Sequence, residues 1–184
     1  RSNKKHVKEI KKNKFTPIDL VIVNFYPFQN AIQNLKKTKK IVENIDIGGP
    51  TMVRAAAKNF QSTAVITDKK DYTALIKELN KNKGKTTLKF RELMSAKAFG
   101  LTSFYDSIIS NWFNEKYNIQ FPEMKTLFGQ KLNSLRYGEN PHQKSSIYVN
   151  DVKNNNLIKL HGKDLSYNNY NDIYSAIDIL FSFK

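Results

Sequence analysis

The chain has 184 residues, of which 40% are hydrophobic and 12% aromatic, and a formal net charge of +15; this suffices for a core of one domain or one and a half and is unlike a disordered composition. It contains no cysteine, so disulfides, thiol catalysis and cysteine-based zinc sites are excluded. No apolar run approaches bilayer-spanning length, and no apolar segment follows the basic first residues as it would in a signal peptide.

A cytoplasmic setting and the absence of a membrane partner are therefore expected. The positive charge raises the question of nucleic acid. Yet the lysines are spread along the chain, in small clusters at Lys4-Lys5, Lys11-Lys12 and residues 36–40. No zinc-finger spacing, RRM-type aromatic signature or basic helix joined to heptads accompanies them. The same field attracts anionic metabolites, so a nucleic-acid partner is not expected. Arg1 opens the chain, and "AIDILFSFK" closes it on an apolar helical pattern without a stop signal; both ends are expected to be internal to a longer chain.

Taken in order, "PIDLVIVNFYPF" has an uninterrupted apolar run at 20–23, which predicts a strand buried on both faces. It runs into Asn24, Tyr26 and Pro27. Ligands of open α/β sheets bind just beyond the carboxyl ends of strands, so Asn24 and Tyr26 are site candidates; a core aromatic is the other reading of Tyr26. Residues 29–43 are expected to be helical and exposed.

"NIDIGGPTMVRAAAKNF" follows. Gly48-Gly49 predicts a turn, and Pro50 suits the first helical position. Val53, Ala56 and Ala57 are spaced for one buried face, while Arg54 and Lys58 share another. Two readings stay open: a Gly-Gly turn with two solvated basic residues, or a helix start whose N–H groups and dipole hold an anionic substrate beside Asp46.

"STAVITD" predicts a second buried strand, and Asp68 leads into a helix with Tyr72, Leu75, Ile76 and Leu79 on one face. Strand, helix, strand, helix in that order implies a parallel α/β layer. From Thr86 a long helix carries Met94, Ala98, Leu101, Tyr105, Ile108 and Trp112 as a continuous stripe, for core or subunit interface. Gly100 within it suggests close helix packing, and Pro122 closes the region. A domain boundary is placed near 122–130. Beyond it, strands are predicted at 146–149 and near 158–160, and a helix from Asn171; no internal repeat is visible.

Five segments, "DLVIVNFYPF", "ENIDIGGPTMVRAAAKN", "SAKAFGLTSFYDSIISNW", "LRYGENPHQ" and "LHGKDLSYNNYND", occur in the same order in the bifunctional purine-biosynthesis family that joins phosphoribosylaminoimidazolecarboxamide formyltransferase to IMP cyclohydrolase. The chain resembles that family over nearly its whole length. The resemblance implies an α/β protein: a methylglyoxal-synthase-like three-layer parallel-sheet domain lacking its N-terminal part (1–125), then the start of a cytidine-deaminase-like transformylase domain (126–184). It implies the last two steps of de novo IMP synthesis. These are formyl transfer from 10-formyltetrahydrofolate, a co-substrate, to aminoimidazolecarboxamide ribotide, and dehydrative ring closure. Purine-precursor ribotides are the implied ligands and a homodimer the implied assembly, with no metal and no covalently bound cofactor.

By motif, Lys58 matches the family's proton-transfer lysine, with Asp46 and Tyr26 as its catalytic companions. Asn24 and the backbone of Ile47, Gly48 and Gly49 match residues that contact the base. Arg136 and Tyr137 match the pair that holds the aminoimidazole ribotide, and His142 and Asn169 lie in motifs lining that second site. Arg54 and His161 look structural. The family's phosphate loops and a further lysine precede the segment seen here, and its catalytic Lys-His pair follows Lys184, so both sites are expected to be divided and this stretch alone inactive. A stand-alone methylglyoxal-synthase-like phosphosugar enzyme has no use for "LRYGENPHQ"; that reading and a basic nucleic-acid-binding module are the alternatives.

Overall fold

The computed structural model describes residues 3–152 and 157–183. The chain forms two compact units, Arg1–Thr126 and Leu127–Lys184, and each is taken by itself.

The first unit begins with helix α1, Lys4–Lys12, which the sequence reading did not anticipate. The Asn3 side chain accepts the N–H groups of Lys5 and His6, an N-cap that satisfies two donors of the first turn. Strand β1, Leu20–Ile22, pairs in parallel with β2, Ala64–Ile66, in the register Leu20↔Ala64, Val21↔Val65, Ile22↔Ile66. The parallel layer expected from the element order is present. Ala64, Val65 and Ile66 are all fully buried, so both faces of β2 are covered.

β1 departs from expectation. Ile22 is 47% exposed, whereas Val21, Val23 and Phe25 are half-buried and pack on the core. The run is apolar, but the face that Leu20 shares with Ile22 is covered only at its start, where Leu20 is half-buried against the core, and opens to solvent at Ile22. The tail after the strand keeps the period of two, so Asn24 and Tyr26 share the exposed face with Ile22.

The stretch expected to be helical and exposed at 29–43 is helical in two short pieces, α2 (Phe28–Asn34) and α3 (Thr38–Val42), and it is not wholly exposed: Phe28, Ala31 and Ile41 are buried. Helix α4, Gly48–Lys58, buries Val53, Ala56 and Ala57 as their spacing predicts. It starts two residues before Pro50, which still lies in the first turn, where a missing N–H breaks no bond. Asp68 accepts the N–H of Lys70 at the head of a 3₁₀ turn, Lys69–Asp71. That turn leads into α5, Tyr72–Lys81. Leu75 is buried and Tyr72 and Leu79 pack on the core. Ile76 faces solvent at 57% exposure, because it lies 100° around the helix from Leu75 and misses the line of contact.

Helix α6, Leu88–Lys116, is capped by Thr87, whose hydroxyl accepts the N–H of Phe90. Met94, Ala98, Tyr105 and Ile108 are buried, and Leu101 and Trp112 half-buried, so the stripe is core of this unit. α6 packs against α4 and β2, and Ser95 donates to the carbonyl of Ala57 at 2.8 Å. Gly100 does not serve close packing within this chain: it is exposed, and a Cβ built there would meet nothing within 4 Å.

In the second unit, β3 (Gln130–Ser134) pairs antiparallel with β4 (Ser146–Val149), with an irregularity between Lys131 and Asn133. β4 was expected. β3 was not, because its polar residues show no alternation that a propensity argument could use. The strand expected at 158–160 is absent, and Ile158 and Leu160 are exposed. Helix α7, Tyr167–Ser182, starts four residues ahead of the expected Asn171. The signal was a capping box: Ser166 and Asn169 satisfy each other's backbone N–H groups,.

Candidate functional site

Two clusters emerge, one in each unit. The first is organised by Asp46. Its Oδ1 accepts the N–H of Gly49 at 2.8 Å, and its Oδ2 accepts the N–H of Tyr26 at 3.3 Å. Its own N–H donates to the Tyr105 hydroxyl at 2.9 Å. The carboxylate thus ties the tail of β1 to the start of α4. Around it lie Tyr26, Ile47, Gly48 and Gly49, at the carboxyl end of β1 where open α/β sheets bind ligands; Asn24 is exposed two residues before Tyr26, with no hydrogen bond to Asp46. Tyr26 is 58% and Ile47 74% exposed, which rules out the core-aromatic reading of Tyr26.

The glycines play a different part from the one their sequence suggests. Gly48 and Gly49 open α4 rather than form a turn; the left-handed glycines of the described chain are Gly84 and Gly162. Gly49 is needed for closeness: a Cβ there would stand 2.4 Å from Asp46 Oδ2 and 2.9 Å from its Cγ. At Gly48 a Cβ would meet nothing within 4 Å.

Gly49→Ala is accordingly expected to destabilise the chain. The helix gains about 1 kcal/mol of propensity, but the carboxylate must swing away from two N–H donors, each worth about 1.5–3 kcal/mol to a charged acceptor. Gly48→Ala, with the same propensity gain and no clash, is expected to be neutral or stabilising. Urea midpoints of the two variants check this; a Gly49→Ala midpoint at or above wild type would show that Asp46 is not held as described.

Asp46 also answers the question left open about the helix start. The positive end of α4 is already faced by a carboxylate, which disfavours a phosphate there. What remains on offer is a fixed acceptor with spare lone pairs, an exposed tyrosine, and the backbone of Ile47 and Gly48. That set suits a neutral heterocycle with N–H and C=O groups.

Lys58 is not brought to this cluster. It is the exposed last residue of α4, twelve positions after Asp46. Ten of those positions are helical steps from Gly48, which at 1.5 Å per residue put Lys58 about 15 Å along the axis from the helix start. Arg54 stands with its guanidinium 5.7 Å from the centroid of the Phe99 ring. Tyr105 is the residue that sequence reasoning missed here. It was read as one member of an apolar stripe, and nothing in that pattern distinguishes a phenol with a hydrogen-bonding task from one that only packs.

The second cluster joins two motifs of the second unit. Arg136 Nη2 donates to the Tyr137 hydroxyl at 3.1 Å, and its guanidinium carbon lies 4.8 Å from the centre of the Tyr137 ring. The Arg136 N–H donates to the carbonyl of Leu165 at 3.0 Å, and the Tyr167 N–H to the carbonyl of Tyr137 at 3.2 Å. "LRYG" is thereby stitched to "LSYNN". The hydrogen bond from Arg136, then one from Ser166, then the guanidinium charge, hold the Tyr137 phenol below its ordinary pKa.

Asn169 belongs to the same segment, but its side-chain oxygen accepts from the N–H and hydroxyl of Ser166 at 3.1 and 3.0 Å, so it is occupied in capping α7. His142 and His161 are both exposed. Among the described residues no three His, Asp or Glu side chains gather to hold a metal ion, and no helix is long and apolar enough to cross a membrane.

The first unit is a parallel α/β layer with Asp46 beyond the carboxyl end of β1, and by its family match its beginning is of the methylglyoxal-synthase-like class. Residues 1–51 match the MGS-like domain. Residues 56–184 match the AICARFT/IMPCHase bienzyme family, and the chain belongs to that family. It is 45% identical over 188 residues to the bifunctional purine biosynthesis protein PurH of Thermoanaerobacter sp. (strain X514), covering 100% of this chain and 37% of that protein. The PurH protein of Bradyrhizobium diazoefficiens is 45% identical over 186 residues, covering 100% of this chain and 35% of its own length. A solved structure described as the crystal structure of ForH superposes with a TM-score of 0.54 at 28% identity, over 62% of this chain and 59% of that one. The chain thus spans little more than a third of the length of the PurH relatives it matches.

Proposed function

We propose that these residues form part of a bifunctional enzyme of the last two steps of de novo IMP synthesis. What carries the reading is the presence, in one chain matched end to end by PurH relatives, of both the Asp46 cluster and the Arg136–Tyr137 pair, each in its own unit.

In ring closure the carboxamide nitrogen of formylated aminoimidazolecarboxamide ribotide attacks the formyl carbon. A proton leaves that nitrogen, and the carbinolamine oxygen departs as water. The step needs an acceptor at the nitrogen and donors toward the oxygen. Asp46, held open-faced by two backbone N–H groups, is the acceptor. Tyr26, Asn24 and the backbone of Ile47, Gly48 and Gly49 grip the base. Lys58 enters as a proton-transfer group on the motif resemblance alone.

In the second unit Arg136 and Tyr137 hold the aminoimidazole ribotide, the guanidinium suiting phosphate, with His142 and Asn169 at the margin. The formyl group comes from 10-formyltetrahydrofolate. Neither step calls for a metal or a covalently bound cofactor. A cytoplasmic homodimer is the form we propose for the enzyme.

The test is a pair of assays on a chain of the relatives' full length carrying these residues: IMP formation from the formylated ribotide, and formyl transfer from 10-formyltetrahydrofolate. Both are expected to proceed. The 184-residue chain by itself is expected to perform neither at a comparable rate, because groups acting as a unit do not give half the rate when halved. A full-length chain that forms no IMP would overturn the proposal.

A further inference from the structure

Tyr105 lies on α6, 59 positions from Asp46 in sequence and 6% exposed. Its hydroxyl accepts the N–H of Asp46 at 2.9 Å and donates to the carbonyl of Asn44 at 3.4 Å. One phenol therefore clamps the backbone on both sides of Ile45, immediately before α4. Its ring meets Phe25 edge-on at 5.1 Å between centroids and Phe28 at 6.3 Å, and these two flank Tyr26 and Pro27. Tyr105 thus touches both segments that the Asp46 carboxylate joins: the loop through its hydroxyl and the β1 tail through its ring.

A core aromatic chosen only to fill space would be served as well by phenylalanine, and Tyr105 stands among phenylalanines. Here the hydroxyl meets two backbone groups of a loop that has no ladder of its own. Burial, together with the nearby charge of Asp46, pushes the phenol above its ordinary pKa, so it keeps its proton and the donor half of the clamp persists through neutral pH.

We propose that Tyr105 is a positioning residue for ring closure, holding the Asp46 carboxylate and the Tyr26 segment in register through its hydroxyl. This rests on the assignment of Asp46 to that reaction. It makes α6, the core helix of the first unit, the structural reference for the site.

The experiment uses a chain of the relatives' full length. Tyr105→Phe keeps the ring and removes only the clamp. Ring closure is expected to lose about tenfold in kcat, the worth of one ordinary hydrogen bond, with KM for the formylated ribotide changed less than about twofold and formyl transfer unaltered. In an Asp46→Asn background the same substitution is expected to add no further loss, since both act through one group. Amide exchange supplies a readout independent of turnover: the Asp46 N–H should exchange faster in Tyr105→Phe while those of Val65 and Ile66 keep their protection. Unchanged kcat with Asp46→Asn impaired would overturn the inference and leave the Asp46 reading standing. Full additivity of the two substitutions, or an equal fall in both activities with protection lost throughout, would equally overturn it and reduce Tyr105 to a packing residue. If Asp46→Asn itself closes the ring at the wild-type rate, the Asp46 reading fails and this inference with it.

Discussion

Replacing Lys58 with alanine, in a chain of the relatives' full length, is expected to lower ring closure by about 10²- to 10⁴-fold, the usual contribution of a positioned acid or base, while formyl transfer stays largely intact. The separation of effects follows from the architecture: Lys58 belongs to the first compact unit and Arg136 and Tyr137 to the second. The size of the effect follows from the match of "RAAAKN" to the family, because the structure supplies no contact between Lys58 and the Asp46 cluster. A lysine at an exposed helix C-terminus, where the dipole favours its charge, would by local physics alone do no more than stabilise α4 by a fraction of a kilocalorie. The two accounts therefore differ by orders of magnitude in rate. Steady-state IMP formation decides between them. Activity within a few-fold of wild type would remove Lys58 from the site and leave proton transfer to Asp46 and Tyr26.

Arg136→Ala should weaken aminoimidazole ribotide binding by roughly ten- to a hundredfold, the range for losing a charged hydrogen bond, with ring closure continuing in the other unit. A second consequence is spectroscopic. Arg136 is the largest cause holding the Tyr137 phenol below its ordinary pKa, so in the variant that pKa should move up, and the phenolate absorbance should develop at higher pH than in wild type. Ribotide binding measured by titration calorimetry, together with the ultraviolet titration, separates the two roles. Unaltered affinity with a shifted phenol would mean that Arg136 serves only to orient Tyr137. Unaltered affinity and an unmoved phenol would mean that the pair seen here is incidental.

Much of the organisation was legible because it rests on local periodicity. The parallel pair β1 and β2, the buried face of α4 at Val53, Ala56 and Ala57, and the stripe along α6 all follow from apolar spacing. The errors fall where neighbours decide. An apolar run such as 20–23 is compatible with one covered face or two, and Ile22 at 47% exposure shows that the count of covering layers is not written in the strand itself. Ile76 fits the helical stripe by spacing yet lies outside it, because a helix resting on a narrow contact buries less than a full apolar arc. In the second unit, β3 has no apolar alternation to announce it and forms because β4 offers it a ladder.

The sequence by itself determined the family, the order of elements, the chemistry available and the candidates for it: Asp46 beside two glycines, Tyr26 at a strand end, Arg136 next to Tyr137. These are properties of residue type and short spacing, and they survive without coordinates. Only the tertiary structure decided which candidates meet. It closed the β1 tail onto the start of α4 through one carboxylate, gave Gly49 its reason in a contact that no side chain can share, and set Lys58 at the far end of the same helix. It also recruited Tyr105 from the core helix α6 to clamp the loop before α4. Convergence of this kind depends on packing between segments tens of residues apart, and a one-dimensional pattern carries no measure of that distance.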